Sequence, residues 1–518
     1  MSFRRVGLVA AIALATWLEL SCGQVYRPVV IPVSITPPNP ANFHAVFGIS
    51  ANVPFTPGTA LQIDVSGDSN IGVANMGVNP THAAILPNNS RVFVASAGSL
   101  FAGDTDVVTA FFPATDSSIA VGLGTPTTFS LPNVGPTNPG TGLPYFCSYL
   151  PDFVATAQTN AVYVANFGVE NQPNCNLTST DSVATLNPGT NTITNIGYLP
   201  AGTHPVGMVE TPNALNLYVL SQGNKVLDLS PTDLSTIATI SVGNFPTWAV
   251  ARPDGQRVYV VTQGDGMLST IDTSKNALVP GSPQSVGGAG ANYVIYDKSH
   301  NRLYVTSPNA AAVYVFDATA DPPTPIGSAT GAVAIPAPPI PACGTCTYSP
   351  VIPVSVAALP DGSRFYVASY VTAAPGSPCP DANITAAGCV IPQVTVFDAG
   401  TLAVKTTVFP LLSPVASAPL GQPFAMAPVA FCTPTVPYSP VAARFRMSAA
   451  ASADSSRVYA SLCDGGSVAI VNTTTSTITI NGNTPDTLVL DLPAPFSAAT
   501  ATNGEPPPQN PVFLLTGQ

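Results

Sequence analysis

Apolar and polar positions alternate along most of this chain in short runs broken by tight polar turns. One phrase recurs: a short apolar strand, a turn such as Pro-Asp-Gly, then Arg-Val-Tyr-Val. The clearest copy is ARPDGQRVYVVTQGDGMLSTIDTSKNALV, Ala251 to Val279. Related copies are AILPNNSRVFVAS (84–96), TAQTNAVYVANFG (156–168), ETPNALNLYVLS (210–221), YDKSHNRLYVTS (296–307), AALPDGSRFYVASY (357–370) and ASADSSRVYASL (451–462). Aligned on the aromatic strand, Phe93, Tyr163, Tyr218, Tyr259, Tyr304, Tyr366 and Tyr459 share one register. The tightest spacings approach the roughly 40–45 residues of a four-stranded propeller blade. A third strand closing on Asp or Asn follows, as in STID (269–272), VYVFD (313–317), VTVFD (394–398) and VAIVN (468–472). A fourth is seen in STIATISVG (235–243).

The pattern predicts an all-β chain, a β-propeller of four-stranded blades with seven or eight blades. Seven units span about 78 to 482, and the leftovers are strand-like too. FHAVFGISA (43–51), ALQIDVS (60–66) and NIGVANMG (70–77) read as the last three strands of a blade. Either DTLVLDL (486–492) or PVFLLTG (511–517) would supply its first strand. Closing a ring with strands from both termini removes exposed sheet edges. Strand arithmetic therefore favours eight blades, one split between the termini. The propeller is expected over 43–495, with 496–518 a C-terminal tail that offers a closing strand. Residues 125–148, 168–178, 321–350, 371–391 and 407–440 are Pro-, Gly- and Ala-rich inserts. Inserts in repeat proteins map to loops on one face, often the binding face.

The repeat, P-x-x-V/A-x-x-PDG-x-x-V-Y-V followed by V-x-V-I/F-D-x-x-T, resembles the YVTN family of β-propeller repeats. That family lies within the broad WD40-like, quinoprotein amine dehydrogenase-like superfamily. Phe245 to Ile271 and Ile352 to Asp398 match best, and the resemblance covers about 43–482. It implies a bladed propeller, usually on an exported or surface protein. It implies no single activity, since propellers host lactonases, dehydrogenase subunits and pure binding scaffolds alike.

Residues 1–22 read as a signal peptide: Arg4 and Arg5 precede an uncharged apolar stretch, Val6 to Leu18, too short to span a bilayer as a mature helix. Leu-Ser-Cys-Gly at 20–23 resembles a bacterial lipoprotein processing site with Cys22 as the lipidated residue, although Glu19 departs from the motif. The alternative is an ordinary secretory signal in which Cys22 is incidental. Residues 23–42 read as an extended tether. Both readings export the chain, to the cell envelope as an anchored lipoprotein or as a secreted protein. With export, Cys147, Cys175, Cys343, Cys346, Cys379, Cys389, Cys432 and Cys463 form an even set of disulfide candidates. Neighbour pairing (147–175, 343–346, 379–389, 432–463) is the simplest of many connectivities.

Only 8% of the 518 residues are charged, against roughly 25% in ordinary soluble domains. A net charge of −11 offers no basic stripe for nucleic acid. The histidines, His44, His82, His204 and His300, show no metal-ligand spacing, so no metal and no cofactor are expected. DVSGDSN (64–70) and the Asp-Gly pairs at 254–255 and 361–362 read as turn chemistry. No nucleophile elbow or paired acid and base stands out, and no catalytic residue is nominated. One set of positions converges: two residues after the aligned Pro, at the start of each innermost strand, stand His82, Phe153, Gly207, Trp248, Tyr293 and Ser355. Arg446 to Ser448 are nearby in the last unit. They would either line a shallow ligand pocket at the axial mouth or plug it by packing. The first expectation is a monomeric, non-catalytic binding scaffold of the cell envelope, meeting a protein or glycan. The rivals are a lactonase-type hydrolase and an accessory subunit of an envelope electron-transfer enzyme.

Overall fold

Strands such as Val-Tyr-Val carry apolar side chains on both faces, so both faces must be covered, and stacking strands into blades that pack on each other does this. The computed structural model describes 45–517 except 52–56, 66–67, 98–106, 114–126, 131–133, 138–143, 147–148, 169–178, 191, 341–347, 375–387, 411–425, 427, 430–431, 433–445, 474–485 and 494–509. Eight antiparallel sheets of four strand positions stand around one axis. Blade one joins Ala45–Ala51, Pro57–Asp64 and Ser69–Val78 to the C-terminal strand Asn510–Thr516, which lies innermost. Blades two to eight begin at Pro80, Tyr149, Pro205, Pro246, Tyr293, Ile352 and Ala449. Thr487–Pro493 is the fourth strand of blade eight, so the closing strand is the one inside the tail. The innermost strands touch in chain order, and Asn510–Thr516 stands between those of blades eight and two. The ring is an eight-bladed β-propeller.

The aligned aromatic is fully buried in every blade, and Phe47 holds the position in blade one. Burial falls away outward: Leu217–Ser221, second in blade four, is wholly buried, whereas Thr236–Ser241, fourth, is mostly exposed. Apolar clusters bridge blades rather than fill them. Tyr218 and Leu220 of blade four pack with Val258 and Val260 of blade five. Val46 and Leu61 of blade one pack with Tyr459 and Val468 of blade eight.

The repeat arginine has a role that its neighbours along the chain do not reveal. Two residues before the aromatic, it reaches the outer turn of the next blade. Arg91 donates to the Pro188 carbonyl (2.5 Å), Arg302 to that of Ala399 and Arg364 to that of Thr473. Arg257 grips Asp321 with two hydrogen bonds, 3.0 and 2.6 Å. Arg457 of blade eight completes the circuit on Asp68 of blade one (2.9 Å). Asp68 belongs to the DVSGDSN turn, and Gly255 and Gly362 of the Asp-Gly pairs have φ of +71° and +73°, a conformation suited to glycine.

Because neighbouring strands are antiparallel, each blade sends its first-to-second and third-to-fourth turns to one face of the ring. The opposite face receives the second-to-third turns and the connections between blades. The Pro-Asp-Gly turns lie on the first face. Of the Pro-, Gly- and Ala-rich inserts, 168–178 and 371–391 interrupt second-to-third connections and 407–440 a connection between blades, all on the second face, whereas 321–350 begins in the third-to-fourth turn of blade six.

Candidate functional site

Counting back from each buried aromatic through the strand register gives one position per blade at the axis. His82 faces Ala95, Phe153 faces Ala165, Trp248 faces Val261 and Tyr293 faces Thr306. The same register puts Phe513 opposite Ile49 in blade one. Gly207, Ser355 and Ser448 complete the ring of eight.

The five large residues meet. His82 stacks on Phe153 at 3.7 Å between ring centroids and lies 4.5 Å from Phe513. Trp248 reaches His82 (5.6 Å), Phe153 (5.7 Å), Tyr293 (4.8 Å) and Phe513 (6.4 Å). Trp248 also touches three of the apolar clusters, so it joins the blades where they converge. Edge-on and stacked aromatic pairs at such distances add specific attraction to burial. Of the two expectations for the axial mouth, the geometry is that of rings packed against one another.

Polar atoms at the same level link neighbouring blades. Nδ1 of His82 donates to the Val154 carbonyl (3.0 Å), which fixes the proton on that nitrogen. Burial pushes the His82 pKa down to about 3, opposed by that carbonyl, so the ring is neutral. The Thr81 hydroxyl donates to the Asp152 carbonyl (2.5 Å). Ser355, buried, accepts from the Ala449 amide (2.8 Å), so its hydroxyl is a staple between blades seven and eight.

Arg446 is not on the axis; Ser448 holds that position in blade eight. An insert precedes this strand and obscures the alignment with Pro. Arg446 lies on the insert-bearing face in a buried pair with Asp464 (2.8 Å), its guanidinium 5.2 Å from the centre of the Tyr370 ring. Burial raises the Asp464 pKa, against the pull of Arg446. Asp464 also accepts from the Val429 amide (2.8 Å), and the Cys432–Cys463 disulfide closes the same junction. Met426 pairs with Val390 through two backbone hydrogen bonds. The insert between blades seven and eight is thus fastened to both at three described points. Cys389 is also disulfide-bonded. Cys22, Cys147, Cys175, Cys343, Cys346 and Cys379 lie outside the described residues, as do His44 and the segments read from the sequence as signal peptide (1–22) and tether (23–42).

Two histidines pair with carboxylates. His204, between blades three and four, sets Nδ1 3.2 Å from Asp181 and stacks on Phe167 at 4.3 Å. Asp181 is wholly buried; burial works against its charge, yet bonds from His204 and the Gly168 amide hold its pKa below the usual range. His300 is half-buried and paired with Asp297 (3.0 Å) rather than out in solvent. Among the described residues no three metal-ligating side chains come together. Also among them, no helix is long and apolar enough to cross a membrane.

No family model matches the chain, and no curated protein matches it. Among solved structures it is similar to the dihydro-heme d1 dehydrogenase NirN in complex with DHE, with TM-score 0.51, 11% identity, and coverage of 90% of this chain and 78% of that one. It is also similar to the Pseudomonas aeruginosa periplasmic gluconolactonase PpgL, with TM-score 0.45, 13% identity, and coverage of 70% and 94%. The β-propeller domain of Myceliophteria thermophila Cps50 (Swd1) gives 0.43, 10%, 76% and 98%. The likeness is one of fold.

Proposed function

We propose that this protein is an exported, lipid-anchored propeller acting as a non-catalytic binding scaffold in the cell envelope, with the insert-bearing face as its contact surface. The observation that carries the reading is the fastening of a long insert on that face by Cys432–Cys463, the Val429 amide on Asp464 and Met426–Val390. Crosslinks of this kind lower the entropy lost when a loop meets a partner. Export and anchoring rest on the pattern of residues 1–22 and on Cys22. The lactonase-type reading needs room for a substrate at the axis, where His82, Phe153, Trp248, Tyr293 and Phe513 pack on one another. The electron-transfer reading requires a partner that carries the cofactor.

The test is affinity capture from the envelope fraction with two variants, one lacking 411–425 and one carrying Leu215→Ala on the turn-bearing face. The reading expects one partner recovered with the wild type and with Leu215→Ala, lost with the deletion, and a diacylated Cys22 peptide. Lactone turnover by the purified protein, a haem- or quinone-bearing partner, or an unmodified Cys22 in a soluble fraction would each replace it.

A further inference from the structure

On the face that carries the Pro-Asp-Gly turns, a cleft of about 370 Å³ opens between blades five and six. Its walls are Arg252, Pro253, Asp254, Tyr296, Asn301 and Thr319. Ligand sites begin at roughly 300 Å³, so one small molecule or one residue of a polymer fits. The charges here are already matched. Arg252 Nε lies 2.9 Å from Asp254 and its Nη1 3.7 Å from Asp321. Arg257 holds the other side of Asp321 at 2.6 Å. An anion gains little from a guanidinium that faces two carboxylates, and a cation gains little from carboxylates that face two guanidiniums. A purely apolar ligand would strip water from several polar groups without replacing their hydrogen bonds.

The remaining groups suit a neutral, polyhydroxylated ring. Tyr296 and Pro253 supply flat apolar surface for a face of C–H bonds; the Tyr296 ring runs parallel to buried Tyr259, 17° apart. Asp254 takes both Arg252 and the Gln256 amide on Oδ1, which leaves Oδ2 as an acceptor for a ligand. Asn301 accepts the Tyr296 hydroxyl on Oδ1 (2.9 Å), which leaves its amide to donate. Adjacent hydroxyls on a ring need this combination of one acceptor and one donor. The groups are also held in place: Asn301 is in the left-handed conformation at φ +52°, and Arg252 is tied to the Ala318 carbonyl. We propose that this cleft binds a single neutral pyranose unit of a saccharide. The proposal does not rest on the scaffold role of the insert-bearing face.

The experiment is saturation-transfer NMR on the whole protein with methyl glucoside, galactoside, mannoside and N-acetylglucosaminide, and with glucuronate and glucosamine as charged counterparts. At least one neutral pyranoside should receive saturation on its ring C–H protons. Tyr296→Ala should weaken its binding about tenfold. Asn301→Gly, which keeps the left-handed backbone while removing the amide, should do the same with an unchanged circular dichroism spectrum. No saturation of any neutral pyranoside overturns the proposal. So do wild-type binding by both variants and tighter binding of a charged counterpart.

Discussion

Trp248 of blade five and Phe513 of blade one stand across the axis from one another with ring centroids 6.4 Å apart. Phe513 comes from the last strand of the chain, so the strand that closes the sheet also delivers the last ring of the axial cluster. Ring closure and core packing are therefore coupled in one element. Phe513→Ala should lower stability by about 3 kcal/mol, since it opens a cavity beside His82 and Trp248. Urea unfolding reads this, and a change within about 0.5 kcal/mol would place Phe513 at the surface.

Tyr259 is fully buried between blades five and six, with its hydroxyl 3.5 Å from the Ala318 carbonyl. Tyr259→Ala should cost about 3–5 kcal/mol in the same assay. Tyr259→Phe should cost about 1 kcal/mol, because it removes the hydroxyl's bond to the Ala318 carbonyl and its contact with Arg252.

His82 makes stability depend on pH. Its pKa is about 3 in the fold and 6.5 ordinarily, so between these values the unfolded chain binds a proton that the folded chain refuses. The folded state therefore loses stability as pH falls below about 6.5, until about 3. Between pH 7 and pH 4.5 the wild type should lose about 2–3 kcal/mol more than His82→Phe. Parallel curves for the two proteins would show that His82 is protonated in the fold.

Much of this architecture was legible from the repeat. The buried aromatics from Phe93 to Tyr459 are legible because a β-branched and aromatic strand between polar turns can bury both its faces in few other ways. Phe47 and Phe513 escaped the alignment because their blade is assembled from both ends of the chain, so neither lies within an unbroken copy. The role of the repeat arginine was hidden for a related reason. Its contact is with the next blade, and a repeat unit shows only its own strands. In blade eight the sequence narrows the axial position to Arg446 to Ser448, because an insert obscures the aligned Pro; the pairing of Ala450 with Tyr459 and the bond from the Ser461 amide to the Ser448 carbonyl select Ser448.

Arg457 and Asp68 join blades eight and one through charged hydrogen bonds of 2.9–3.2 Å, both side chains largely buried. Arg457→Leu should cost about 1–2 kcal/mol. In a double-mutant cycle with Asp68→Asn the two losses should fall short of additive by about 1 kcal/mol. Additive losses would mean that the pair does not hold the closure.

The chain has two tryptophans, Trp17 and Trp248. With Trp17→Phe, Trp248 alone reports the axis. The direct test of the closed, ring-filled axis is Trp248 emission and acrylamide quenching with and without 510–518. Emission should be blue and weakly quenched in the whole chain, and red-shifted and readily quenched once the C-terminal strand is gone. Identical emission and quenching in the two proteins would contradict a closed, ring-filled axis.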